Sequence, residues 1–175
     1  MLAKQLPICP KAIICLIHIN PLNQYILQIN VDGSMKENPT HGGWGFMIRD
    51  HAGRPVGAGA GHMQYVSDPL YAEATACLQS LYAAQGWGMS RVHVLSDSKT
   101  LVQAATSNDH DLSTNGNLFK EIRCFASLNF THVGFSYCPR ACNKVADALA
   151  HLVQTQGLYP QLCGRNKLLI SCMVL

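Results

Sequence analysis

The chain has 175 residues, 48% of them hydrophobic and 13% charged, which suits one domain with about 140 residues of core fold and excludes a disordered, solvating protein. Its 13 Lys+Arg stand against 10 Asp+Glu, a formal net charge of +3. That excludes a protein holding nucleic acid by dense phosphate neutralisation alone, so such binding is expected to be weak, local or assisted by a partner.

Residues 1–23 read as a poorly packed leader or an extra edge strand. Lys4 and Lys11 precede the apolar run Ala12 to Ile17 and imitate a signal peptide. The run is short, however, His18 interrupts it, and no small-x-small cleavage site follows. It also falls short of the roughly 20 apolar residues that a membrane span needs, so no membrane partner is expected. The domain is placed at 24–156, with 157–175 an irregular tail or a weak added strand.

From Gln24 to Val31, Tyr25, Leu27, Ile29 and Val31 alternate with Ile26, Gln28 and Asn30 up to the turn signal Asp32-Gly33-Ser34, which predicts a first strand with Asp32 at its C-terminal end. Gly42 to Ile48 and Val56 to Met63 predict a hairpin joined by Asp50 to Pro55. Ser67-Asp68-Pro69 supplies an N-cap and a proline for the first helical position, and the helical spacing of Leu70, Ala74, Cys77, Leu78 and Leu81 predicts a helix to Gln85. Val92 to Leu95 predicts a strand followed by Asp97, with Ser98 capping a helix over Thr100 to Ala105. A further helix spans Asn115 to Leu128 and a last strand His132 to Tyr137. The final helix runs from about Cys142 to Val153, its apolar stripe on Val145, Ala146, Leu149 and Val153.

The order β-β-β-α-β-α-α-β-α predicts an α/β fold with a mixed sheet. In such sheets, polar residues beyond the C-terminal strand ends line the ligand crevice. Asp32 and Asp97 occupy such positions, and Glu73 and Asp147, each early in a helix, are placed to aim at the same crevice. Four convergent carboxylates repel by several kcal/mol in a low-dielectric site unless cations neutralise them. Hard oxygen donors of this kind select Mg²⁺, with Mn²⁺ as a substitute. Two such ions about 3.5–4 Å apart activate a water and stabilise a leaving oxygen in phosphodiester hydrolysis. Taken singly, each acid has an ordinary reading as a turn residue, cap or solvated charge.

In order along the chain stand Val31-Asp32-Gly33-Ser34, Ala72-Glu73-Ala74, Ser96-Asp97-Ser98 and the run Pro139 to Ala150, which includes Asn143 and Asp147. Together they resemble type 1 ribonuclease H, in its plant ribonuclease-H-like branch related to retrotransposon domains. The resemblance covers about Gln24 to Val153. It implies a five-stranded mixed sheet flanked by helices, and two-metal hydrolysis of the RNA strand of an RNA/DNA hybrid. Asp32, Glu73, Asp97 and Asp147 match the family's metal-binding carboxylates. Asn38 matches the Asn-Pro turn that contacts the hybrid's minor groove, where 2′-hydroxyls distinguish RNA from DNA. Gly33 and Ser34 match a turn approaching the nucleic-acid backbone, and Asn143 matches a position near the last aspartate.

Two departures reduce the expected activity. Many active members carry a histidine ten residues before the last aspartate, where this chain has Tyr137, a poor proton shuttle at neutral pH. Neither His132 nor His151 replaces that histidine by spacing. Some members also carry a basic helix and loop where Thr106 to Thr114 has Asp109, Asp111 and no Lys or Arg, so affinity for a hybrid is expected to be low and salt-sensitive. Trp44 and Trp87 read as packing residues rather than base-stacking platforms. The eight cysteines lack CxxC pairs and read as thiols in a reducing, intracellular compartment; Cys138 and Cys142 lack the further ligands of a zinc site. The chain is read as a monomeric nuclease of reduced activity. The alternatives are a catalytically idle retroelement-derived binding or interaction module, and a related metal nuclease acting on another substrate.

Overall fold

The computed structural model describes residues 26–37, 40–156 and 162–165. Strands β1 (Leu27–Lys36), β2 (His41–Arg49) and β3 (Pro55–Met63) form an antiparallel meander. β1 also pairs in parallel with β4 (Arg91–Ser96), and β4 with β5 (His132–Tyr137). Helices α1 (Pro69–Gly86), α2 (Lys99–Thr106), α3 (Gly116–Asn129) and α4 (Lys144–Gln156) complete the order read from the sequence. Helix starts follow local chemistry. Asp68 Oδ1 accepts from the Tyr71 amide at 2.9 Å ahead of Pro69, and Ser98 Oγ accepts from the Leu101 amide at 3.2 Å.

Two sequence readings are corrected. Asp32-Gly33-Ser34 does not end the first strand, because β1 continues to Lys36 with Asp32 opposite Gly45 and Ser34 opposite Gly43. The long antiparallel partner β2 carries the ladder onward, whereas the parallel ladder to β4 stops at Asn30 opposite Leu95. Asp32 therefore stands where β1 has outrun one neighbour and still pairs with the other. The second concerns the segment read as an irregular tail or a weak added strand. It supplies β6 (Leu162–Gly164), which pairs antiparallel with Ala58 to Ala60 of β3 and makes the sheet order β5-β4-β1-β2-β3-β6. Its backbone pairing covers part of an otherwise open edge. The leader, the apolar C-terminal run and Asn38 lie outside the described residues.

Helices α1 to α3 cover one sheet face, where Ile29, Phe46, Leu81, Leu101, Phe119 and Ile122 are buried in one core. Each large side chain buried there contributes roughly 1.5–3 kcal/mol of transfer free energy. Trp44 belongs to this core, stacked on Phe46 at 5.9 Å between ring centroids, and Trp87 packs on its margin, so both serve packing. Helix α4 covers the other face over Met47, Ala58 and Ala60. It lies directly on β2, where a Cβ at Gly43 would stand 2.2 Å from the Ala150 carbonyl oxygen, and one at Gly45 2.6 Å from that of Ala146. These two glycines bring the start of α4, and Asp147 with it, down onto the strand that neighbours Asp32.

Candidate active site

Asp32 is the centre of the site, only 2% exposed. Glu73 reaches it because α1 crosses β1 backbone to backbone. A Cβ on Gly33 would stand 2.2 Å from the Ala72 carbonyl carbon and 2.4 Å from the Glu73 nitrogen, so only glycine permits this approach. The Gly33 N–H donates to the Glu73 carboxylate. Ser96 Oγ donates to Glu73 Oε2 at 3.3 Å while accepting from the Ser98 amide at 3.0 Å. Asp97 follows directly on β4, and Asp147 lies in the first turn of α4.

Carboxylate oxygens of Asp32, Glu73 and Asp97 lie within 4.8 Å of one another, and so do ligand atoms of Asp32, Asp147 and His151. The two groups share Asp32. Burial, reinforced by Glu73, Asp97 and Asp147, pushes the Asp32 carboxyl up to about 9. Burial, and then Asp97, pushes Glu73 up to about 8. Protein cations do little to relieve this, since Arg140 is exposed and stands 3.6 Å from Asp97 and 3.9 Å from Asp147. A divalent cation restores the charged form of such carboxylates, and all-oxygen donors suit a hard ion.

A model of the reverse transcriptase-like family matches residues 30–153, well over half of the chain. The chain belongs to the reverse transcriptase-like family. Its fold is that of ribonuclease H. The ribonuclease H1 of the halophilic archaeon Halobacterium salinarum superposes with a TM-score of 0.66 at 24% identity, over 75% of this chain and 98% of that one. LC11-RNase H1 in complex with an RNA/DNA hybrid gives 0.68 at 24% identity, over 76% and 99%. A foamy viral protease-reverse transcriptase in complex with double-stranded DNA gives 0.62 at 19% identity, over 80% and 98%. No curated protein matches the chain.

The other residues singled out in this family member fare differently. Asn143 is fully buried. Its Nδ2 donates to the Val31 carbonyl at 2.8 Å and to Asp32 Oδ1 at 3.3 Å, and its Oδ1 accepts from Asn30 Nδ2 at 3.2 Å. It acts on the Asp32 carboxylate. Ser34 is buried too, with its hydroxyl directed at the carbonyls of Ala150 at 2.9 Å and Gly43 at 3.3 Å. That hydroxyl ties β1 to α4. Tyr137 stands exposed at the end of β5 with the Lys99 ammonium 5.2 Å from its ring centre. The acidic link after α2 is closed on itself, because Arg123 donates to the carbonyls of Ala104 at 2.6 Å and Ser107 at 2.9 Å and to the Asp111 carboxylate.

Sequence reasoning missed four residues. Ser96 and Arg140 stand beside motif residues, and residue type alone does not reveal that one bonds Glu73 and the other pairs with Asp97 and Asp147. Asn30 was a polar residue in an apolar strand; its Oδ1 accepts from Arg49 Nη1 at 3.1 Å, so it links Arg49 through Asn143 to Asp32. His151 was set aside by spacing, although i and i+4 share a helix face.

Proposed function

We propose that this domain is a metal-dependent endonuclease that hydrolyses the RNA strand of RNA/DNA hybrids. The observation that carries the reading is the convergence of four carboxylates on a shared Asp32 whose proton affinity is raised by burial and then by its acidic neighbours. Asp32, Glu73 and Asp97 would hold one divalent cation, and Asp32 with Asp147 a second. Bound there, Mg²⁺ or Mn²⁺ would supply an activated water and stabilise the leaving oxygen of a phosphodiester.

The chain's own residues prepare that chemistry. Asn143 orients Asp32, and Ser96 with the Gly33 amide orients Glu73, so the ligand oxygens are held by buried or partly buried hydrogen bonds before substrate arrives. Support for an RNA/DNA hybrid as the substrate comes from the ordered sequence motifs and from a structural neighbour described in complex with such a hybrid. Gly33 and Asn38 remain the proposed nucleic-acid contacts. Tyr137 in place of a histidine and the self-closed acidic link make a slow, weakly binding enzyme. We assign it an intracellular location and a monomeric state.

The test is a labelled RNA/DNA hybrid at low salt with Mg²⁺, with Mn²⁺ and with chelator, beside Asp97→Asn. Metal-dependent cutting of the RNA strand, lost in a variant that still folds, is the expected result. Silence in both metals from folded protein would overturn the reading in favour of an idle binding module. Equal cutting of double-stranded DNA would overturn hybrid specificity.

A further inference from the structure

The geometry points to His151 as a ligand of the second metal position, making it a mixed site of two carboxylates and one imidazole that prefers Mn²⁺ over Mg²⁺; this rests on the metal reading above. Three observations carry it. Ligand atoms of Asp32, Asp147 and His151 all lie within 4.8 Å of one another. His151 Nδ1 stands 3.3 Å from Asp147 Oδ1 and 3.0 Å from the Asp147 backbone oxygen, so the ring lies over the turn that bears the aspartate. The side chain is 55% exposed, which leaves the imidazole free to turn toward a cation held by the two carboxylates.

The helical contact with the Asp147 carbonyl alone would account for the ring's rotamer. It would not account for the third partner, Asp32, which comes from β1 and is brought under α4 by the close seat of that helix on Gly43 and Gly45. A two-carboxylate site completed by water suits Mg²⁺, which takes oxygen donors and dehydrates reluctantly. An added imidazole nitrogen favours first-row transition ions over Mg²⁺. The two positions around Asp32 thus differ in donor set, one all oxygen and one with nitrogen.

The experiment is pulsed electron paramagnetic resonance of the full chain loaded with Mn²⁺, with Mn²⁺ and Mg²⁺ affinities measured by calorimetry. Wild-type protein is expected to show nitrogen coupling to bound Mn²⁺. His151→Gln is expected to lose it, with Mn²⁺ affinity at one position lower by on the order of tenfold and Mg²⁺ affinity changed less than about threefold, as loss of a nitrogen donor predicts. Bound Mn²⁺ without nitrogen coupling in the wild type, or coupling that persists in His151→Gln, would overturn the assignment. His151→Ala, with helicity checked by circular dichroism, guards against a glutamine oxygen taking the vacated position. Hybrid cleavage in the same samples separates the two proposals. Nitrogen-coupled Mn²⁺ without cleavage supports the ligand and sinks the nuclease, while cleavage without nitrogen coupling does the reverse.

Discussion

Asp32→Asn is expected to make the metal-free protein more stable while abolishing its activity. In the folded chain the Asp32 carboxyl holds its proton up to about 9, against an ordinary value of 3.8. Between those values the unfolded state binds fewer protons than the folded one, so stability falls as pH rises through that window. At pH near 7 holding the folded Asp32 carboxyl protonated therefore costs about 4 kcal/mol, from roughly three pH units at about 1.4 kcal/mol each. Asparagine is neutral without taking up a proton and keeps an oxygen for the Asn143 amide, which donates to Asp32 Oδ1 at 3.3 Å. In chelator, urea denaturation should show Asp32→Asn more stable than the parent by a few kcal/mol at pH 8, with the gap closing toward pH 4. Mg²⁺ should raise the parent's midpoint and leave the variant's nearly unchanged. A parent whose metal-free stability is flat from pH 5 to 9, or a variant no more stable than the parent at pH 8, would refute the electrostatic reasoning.

Gly33→Ala places a methyl 2.2 Å from the Ala72 carbonyl carbon, and both groups belong to backbones with no flexible end to yield. Separation of α1 from β1 should cost about 1–3 kcal/mol or more, read as a lower urea midpoint at unchanged slope, and displacement of Glu73 should lower hybrid cleavage by about 10²-fold. Tyr137→His puts a titratable ring at an exposed position beside Lys99. Turnover should rise at saturating metal by up to about 10²-fold, the lower end of what one general acid or base contributes, and unchanged turnover would show that the tyrosine does not limit the rate.

The order of elements was legible because each carries a local signal. A period-two run marks β1 and a short β-branched run β4, Asp68-Pro69 starts α1, Ser98 caps α2, and the stripe on Ala146, Leu149 and Val153 marks α4. The four acids were legible for a related reason: Glu73, Asp97 and Asp147 stand near the ends of elements that topology sends to one crevice, and Asp32 carries a local turn signal although it lies within β1. The reach of β1 past Asp32 was not legible. A local turn signal competes there with pairing to β2, and the ladder wins because its partner is present over the whole segment. The place of β6 was not legible because three residues are too short for a period and take their order from the edge of β3.

Within the site, the sequence by itself determined which residues can bear charge or bind a cation, since residue type and spacing depend on neighbours a few positions away. Only the tertiary structure decided what each does. It buries Asp32 and so raises its proton affinity, turns Ser34 and Asn143 inward as braces, and sets Arg140 and His151 against the acids. Those outcomes depend on how closely α1 and α4 approach the sheet. Glycines at Gly33, Gly43 and Gly45 set that approach, and their partners lie in helices far along the chain, beyond the range of any local pattern.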